Sequence, residues 1–538
     1  MDFADELITF QAGPLTNRVC AHFWNLQDKL SQYSQKPVPS AVDFFQKQIL
    51  FDTAGPVPKP RTLVLDLTES IDHNFHSDLN QHSLSPDYFS WKGKVDTVVR
   101  LSKGFQTVQS ADTVCPPRWT GCLAPKLQNS FRENKTLAIE PQRLNSPPDR
   151  AEDHANNRQG STALSLPSFV QGSEALCPGS VMAEEVEDRL RRTAERCSCP
   201  SGFQLLVDAE NGFTGVMSRI LDHIADEFSK LPVLGIPIYN SAGFFAVSRK
   251  HQLIAKANQL ALLLRFERAN ESLSHAAWYP LDVSVYTEPE VCVKTGVLAG
   301  VLDNLTSPFR LTPQYGGMKL NEYIFESQKL HDRRMFSTRA GHVLVNSKDC
   351  WLQWKSLNPY CAVNIDNFQG SSQKNQLASV PSLWRLFVLR GIPMKPLGST
   401  LLAYASARNE TERRTDKILS AELPPDDIRC SFLDPGAKIH AVSCLSDYPI
   451  SRHMPTKLKT EPVCQQPEDL LLTSFLDAPG DGSIEAIGLS HLVQFLRSYS
   501  QHSCPLEGME LDIWRECLEL GQIHLVDGYF KSDSSWHL

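Results

Sequence analysis

Apolar positions follow two alternating rhythms along this chain. Short apolar runs occur at 8–10, 62–66, 203–207 and 234–239. Between them apolar residues return every three or four positions. Val19, Phe23, Leu26 and Leu30 form one such stripe, and Val186, Leu190 and Ala194 another. A third holds Val216, Met217, Ile220, Leu221, Ile224, Ala225 and Phe228. The first rhythm is that of strands buried on both faces of a parallel sheet, and the second that of amphipathic helices. A further helix is predicted over 251–267, and a central strand over 384–390, stopped by Gly391 and Pro393. Two helices close the pattern at 487–496 and 511–520, the latter with Ile513, Trp514, Cys517 and Leu518 on one face. Strand, helix, strand, helix is the order of a doubly wound α/β domain.

The rhythm lapses twice. From 106 to 180 the chain is rich in Ser, Pro, Asn, Gln and Gly and offers little apolar surface to bury. It is expected to be a long, mostly disordered insertion with one short ordered piece. Residues 453–470 carry three prolines and are expected to be a loop. The expected organisation is therefore 1–105 and 181–310 as two parts of one α/β domain interrupted by 106–180. A second α+β domain over 311–450, a loop over 451–475 and C-terminal helices over 476–538 would follow.

Composition narrows the function classes. The 538 residues are 41% hydrophobic and 21% charged, with 53 Lys and Arg against 61 Asp and Glu, a net charge of −8. Nucleic-acid binding normally needs a basic face, so no nucleic-acid partner is expected and protein partners are. The opening residues 1–6 are acidic, unlike a secretory signal or a presequence. The longest aliphatic run, 260–264, meets Arg265 at once, far short of the roughly 20 residues that span a bilayer. A cytosolic protein is expected, with any membrane contact peripheral. Fourteen cysteines are scattered without zinc-site spacing, and reduced thiols with no metal are the expectation.

The candidate chemistry lies in the stretch VDAENGFTGVM, residues 207–217. A strand, a glycine loop and a helix N-terminus form a common phosphate cradle. Gly212, Thr214 and Gly215 suit it. Phe213 puts a ring where glycine is wanted, and Asp208 and Glu210 add charge that repels phosphate. The competing reading is a tight strand-to-helix turn, and it is favoured. No G-x-S-x-G, GxxxxGK[ST] or HExxH motif is present. His223 lacks a motif partner and is expected to be structural. Trp278, Tyr279, Trp351 and Trp354 are expected to be packing aromatics.

The run QAGPLTNRVCAHFW, residues 11–24, resembles the first nucleotide loop and helix of tubulins, with Gln11, Ala12, Gly13, Asn17, Ala21, Phe23 and Trp24 in register. PRTLVLDL, residues 60–67, resembles the next tubulin strand and loop, and GFTGVM lies where tubulins carry GGTGSG. Within that superfamily the QAG start, WKGK at 91–94, the 184–196 helix leading into Gly202-Phe203-Gln204, and VLRG at 388–391 resemble the misato family. The resemblance implies a tubulin/FtsZ-like fold: a Rossmann-type parallel sheet domain, then an α+β domain and C-terminal helices.

It also implies where a nucleotide would sit: Gln11, Ala12, Gly13, Asn17, Asp66, Gly212, Thr214 and Gly215. Each loop departs from the tubulin pattern. Pro14, Leu15 and Thr16 replace smaller or donor-bearing residues, and Pro14 has no N–H to offer. Thr68 stands in place of a metal-side Glu, with Glu69 one residue away and Ser70 in place of glycine. Aligning 308–311 with PFPRL puts the hydrolytic loop near 295–300, where no acid occurs; Asp303 and Asn304 come too late. The implied function is that of a non-catalytic tubulin-like protein with no required cofactor. It would govern mitochondrial distribution and morphology from the cytosol and the mitochondrial outer surface. The alternatives are a switch that holds GTP or GDP without hydrolysis, and a tubulin- or chaperonin-associated factor in spindle assembly.

Overall fold

The computed structural model describes residues 5–33, 46–55, 58–71, 118–132, 136–139, 166–240, 249–273, 275–285, 291–311, 317–328, 337–344, 355–360, 384–390, 438–444, 470–478, 484–499, 504–506 and 508–527. The principal sheet contains β1 (Glu6–Ala12), β4 (Thr62–Leu67), β5 (Thr136–Ile139), β6 (Pro200–Asp208), β7 (Val233–Tyr239), β8 (Ala276–Trp278) and β9 (Leu281–Asp282). All its pairings are parallel, in the order β5-β4-β1-β6-β7-β8, with β9 also on β7. β2 (Phe51–Asp52) and β3 (Lys59–Pro60) make a small separate hairpin.

Alternate residues of each strand feed opposite layers, which explains the unbroken apolar runs. Leu7, Val64, Leu206, Leu234 and Ile236 face one core, with Phe23 and Trp24 of α1 (Pro14–Tyr33) and Val297, Leu298, Val301 and Leu302 of α7 (Val291–Thr306). Phe10, Leu65, Leu205 and Val207 face the other, with α4 (Val181–Glu195), α5 (Phe213–Glu227), α6 (Arg249–Ser272), α9 (Ile484–Tyr499) and α10 (Leu511–Leu520). The charge run of α4 is a solvated face laced by Arg189–Glu185, Arg191–Asp188 and Arg192–Asp188 pairs.

The segment 106–180 holds more order than the single short piece expected. Three of its pieces belong to the core domain. A turn of 3-10 helix at Trp119–Cys122 leads into α2 (Pro125–Arg132), and Trp119, Leu127 and Phe131 pack beside Trp24 in the α1 layer. β5 extends the sheet through Val64↔Thr136 to Leu67↔Ile139. α3 (Phe169–Ala175) packs on α5. Each piece is too short to show a period within a polar background.

A second, five-stranded sheet has the order β11-β10-β14-β12-β13, from β10 (Ser337–Leu344), β11 (Lys355–Ser356), β12 (Trp384–Arg390), β13 (Lys438–Cys444) and β14 (Leu470–Ala478). β12 and β13 are parallel and the remaining pairs antiparallel. β14 begins inside the expected loop at 451–475 and lies between β10 and β12. Its run Leu470-Leu471-Leu472 is the strand signal that the nearby prolines obscured. Trp351 and Trp354 lie outside the described residues; Trp278 and Tyr279 are buried as packing aromatics.

Candidate functional site: loops at the switch point of the sheet

Strand order reverses between β1 and β6, and in open α/β sheets the crevice beyond the carboxyl ends of two such strands is the usual ligand site. Here that crevice is filled by the chain itself. β1 leads through Gly13, whose φ of +104° lies in the left-handed region, into α1. The carboxylate ending β6, Asp208, lies against this turn. Its Oδ1 accepts the Thr16 N–H at 2.7 Å, and its Oδ2 the Leu15 N–H at 3.3 Å and the Asn211 Nδ2 at 3.1 Å. A Cβ on Gly13 would stand 2.5 Å from the Asp208 Cγ, so glycine is required twice over. The first-turn N–H groups of a helix carry partial positive charge and attract anions. Asp208 meets that demand from within the protein. Burial raises its pKa, against the lowering effect of the bonds from Thr16, Asn211 and Leu15.

Beneath this turn runs a buried polar chain. Gln11 Nε2 donates to Asn17 Oδ1 at 3.0 Å, and Trp24 Nε1 donates to Gln11 Oε1 at 2.9 Å. Asn17 Nδ2 donates to the Leu65 carbonyl at 3.0 Å and to Asp66 Oδ2 at 2.8 Å. The Leu67 N–H closes on Asp66 Oδ1 at 2.7 Å. Burial pushes the Asp66 carboxyl up to about 7, partly countered by the Asn17 and Leu67 bonds. Gln11, Asn17 and Asp66 thus hold β1, α1 and β4 to one another.

The glycine loop is equally closed. Asn211 folds back on its own helix: its Oδ1 accepts the Phe213 N–H at 3.0 Å and its carbonyl the Thr214 hydroxyl at 2.8 Å. The Gly212 N–H goes to the Leu166 carbonyl at 2.7 Å, and the Gly215 N–H to the Gly212 carbonyl at 2.9 Å. Over the loop lies the strap 166–175, ending in α3. A Cβ on Gly172 would come 1.6 Å from the Gly212 oxygen, and one on Gly215 1.9 Å from the Phe169 oxygen. The glycines admit a neighbouring piece of backbone. Asn258 of α6 clamps the strap, accepting the Phe169 N–H at 2.7 Å and donating to the carbonyls of Pro167 at 2.8 Å and Glu210 at 3.1 Å. Phe213 turns into the core and is 1% exposed.

Comparison with known proteins covers the first of these loops. A family model described as the Misato Segment II tubulin-like domain matches residues 5–109, which include the QAG turn and β4. Protein misato homolog 1 of Mus musculus is 26% identical over 247 residues, covering 43% of each chain. Protein misato of Drosophila melanogaster is 24% identical over 261 residues, covering 43% of this chain and 44% of its own.

Over these stretches the chain is similar to the misato family.

Protein dml1 of Aspergillus clavatus is also similar, 23% identical over 324 residues that cover 58% of this chain and 61% of that one. In the misato and misato homolog 1 matches above, the similarity spans less than half the length of the relative.

The eight residues singled out from sequence do converge on one end of the sheet, but on each other. Gln11, Ala12, Gly13, Asn17 and Asp66 form the inner polar chain and its turn, Gly212 and Gly215 form the strap interface, and Thr214 closes the loop on Asn211. Thr68 donates its hydroxyl to the Ile139 carbonyl at 3.4 Å, and the Glu69 side chain lies outside the described residues. The 295–300 stretch is buried within α7. Asp303 is fully buried and pairs with Arg310 at 2.6 Å while accepting from Gln27 Nε2 at 2.6 Å. His223 meets Phe228 edge to face and approaches Glu187 at 4.0 Å. Sequence reasoning missed Asn258 and the strap, and read Asp208 only as a repulsive charge. The available signal was an acid ending a strand directly before a glycine loop. The expectation of reduced cysteines also needs correcting at one place, since Cys292 is disulfide-bonded. No described helix is long and apolar enough to cross a membrane.

Proposed function

We propose that this chain is a tubulin-like scaffold that works by contacting other proteins, without binding or hydrolysing a nucleotide at its degenerate loops. The observation that carries this reading is Asp208. Its carboxyl group takes the Leu15 and Thr16 N–H groups that a phosphate would need. The strap over Gly212 and Gly215 supports the same reading. A switch that holds GTP or GDP would have to expel both.

The cellular role follows from the family resemblance: the chain acts in the cytosol and peripherally on the mitochondrial outer surface, and governs the distribution and morphology of mitochondria. Tubulin or a chaperonin is the partner class suggested by the tubulin-like surface. The test is depletion followed by rescue. Loss of the chain should collapse or fragment the mitochondrial network, and folded Asp208→Asn or Thr214→Ala variants should restore it. Normal mitochondria after complete depletion would overturn the role. Failure of rescue by both folded variants would overturn its independence from nucleotide. Affinity purification that recovers tubulin or chaperonin would identify the partner.

A further inference from the structure

On the α1 side of the sheet three buried metal-ligating side chains meet: His22, Cys122 and Cys292, 1%, 0% and 1% exposed. One ligand atom from each lies within 4.8 Å of the others. The two sulfurs are 3.9 Å apart. Zn–S bonds of about 2.3 Å at tetrahedral angles put two thiolates about 3.8 Å apart, so this spacing fits one edge of a zinc tetrahedron. Imidazole with thiolate is also a soft donor set that selects zinc-class cations over magnesium or calcium.

The three residues come from separate elements. His22 sits on α1, one turn beyond Arg18. Cys122 ends the Trp119–Cys122 turn, and Cys292 lies in the first turn of α7. Arg18 Nη1 stands 3.2 Å from the Cys292 sulfur and 3.8 Å from that of Cys122. N–H donors on sulfur favour the thiolate, and such outer partners commonly orient metal-bound ligands. Two thiolates neutralise a divalent ion, which leaves the Arg18 charge facing anionic sulfur. Cys292 carries a disulfide, so its sulfur becomes a ligand only once that bond is reduced. Reduced cysteine is the usual state in the cytosol. The burial of all three argues against catalysis and for a tie.

We propose that the reduced chain binds one soft divalent cation of the zinc class at His22, Cys122 and Cys292, fastening the 118–132 segment to α1 and α7. The site stands on its own residues and is independent of whether the loops bind nucleotide.

The test uses the full chain, expressed with zinc and purified in a phosphine reductant. Elemental mass spectrometry should find about one zinc per chain, and His22→Asn, Cys122→Ser and Cys292→Ser should each weaken retention by more than the about 10- to 100-fold that loss of an outer partner costs. Exchange of zinc for cobalt(II) in the wild-type chain should give a thiolate-to-cobalt charge-transfer band and the intense visible bands of a tetrahedral site. This readout needs no variant to fold. Omitting reductant should lower the zinc content. The proposal is overturned if the reduced, folded wild-type chain holds no zinc and gives no cobalt–thiolate band. It is equally overturned if zinc content is unchanged by all three substitutions, or by oxidation.

Discussion

Replacing Gly215 by alanine tests whether the glycine loop serves the chain itself. In an ordinary helix interior the change stabilises by about 1 kcal/mol, because alanine loses less backbone freedom. Here the added Cβ would stand 1.9 Å from the Phe169 oxygen and 2.5 Å from the Ser173 nitrogen, where ordinary contact begins at 3.4 Å. Both atoms are backbone, so no rotamer relieves the overlap, and α3 must retreat by about 1.5 Å, the difference between 3.4 and 1.9 Å. Overpacking of this kind costs about 1–3 kcal/mol. The retreat also uncovers part of Leu166, Phe169 and Leu176, each worth roughly 1.5–3 kcal/mol when wholly buried. Against the propensity gain, a net loss of about 2 kcal/mol is expected. Confined to the strap, that loss speeds amide exchange in Phe169–Ala175 about 30-fold. Hydrogen exchange by mass spectrometry reads it directly. Unchanged exchange, with a variant as stable as wild type or more so, would refute the strap's contact with the loop.

Further consequences follow from the same packing. Asp66 has a folded pKa near 7 against a usual carboxylate value of 3.8, so its protonated form is favoured by folding. Its contribution is full below about pH 4 and lost as pH rises through 7, an upper bound of about 4 kcal/mol, and Asp208 shifts in the same direction. Asp66→Asn should therefore flatten urea stability between pH 4 and 8, and a slope equal to wild type would count against it. Phe213→Ala, which empties a core position rather than opening a phosphate site, should cost about 3–5 kcal/mol in the same assay. Arg310→Met leaves Asp303 as a buried charge without its ion-pair partner and should cost about 3–5 kcal/mol, while the double change Arg310→Met, Asp303→Leu should recover most of it.

The parts of this fold that were legible in the sequence are those whose signal is local. Strands buried on both faces announced themselves as apolar runs at 62–66, 203–207 and 234–239, and α5 as a seven-residue stripe ending at Phe228. The QAG turn was legible through its resemblance to the tubulin loop, and its Gln11, Gly13 and Asn17 bond to one another within a few residues. What the sequence hid was distant pairing. Asp208 reaches its helix 192 positions upstream, and Asn258 holds Phe169 across 89. Cys122 and Cys292 are 170 positions apart, so no motif spacing joins them. β5 has four residues and α3 seven, too few to register a period among serines and prolines. Polar composition was read as a lack of core, yet Trp119, Phe131 and Leu137 show that a few large side chains are enough to anchor such a segment.

The central claim is that the chain's own carboxylate and strap occupy the place of a nucleotide. Isothermal titration of the purified chain with GTP and GDP, each with magnesium, tests it most directly, beside a melting curve at the same concentrations. A bound nucleotide at 100 times its dissociation constant would add about 2.7 kcal/mol of stability, well within reach of the melting curve. Wild-type chain should give no binding heat and no shift at millimolar nucleotide. Saturable binding with a stoichiometry near one, abolished by Thr214→Ala or Asn17→Ala in folded protein, would contradict the claim.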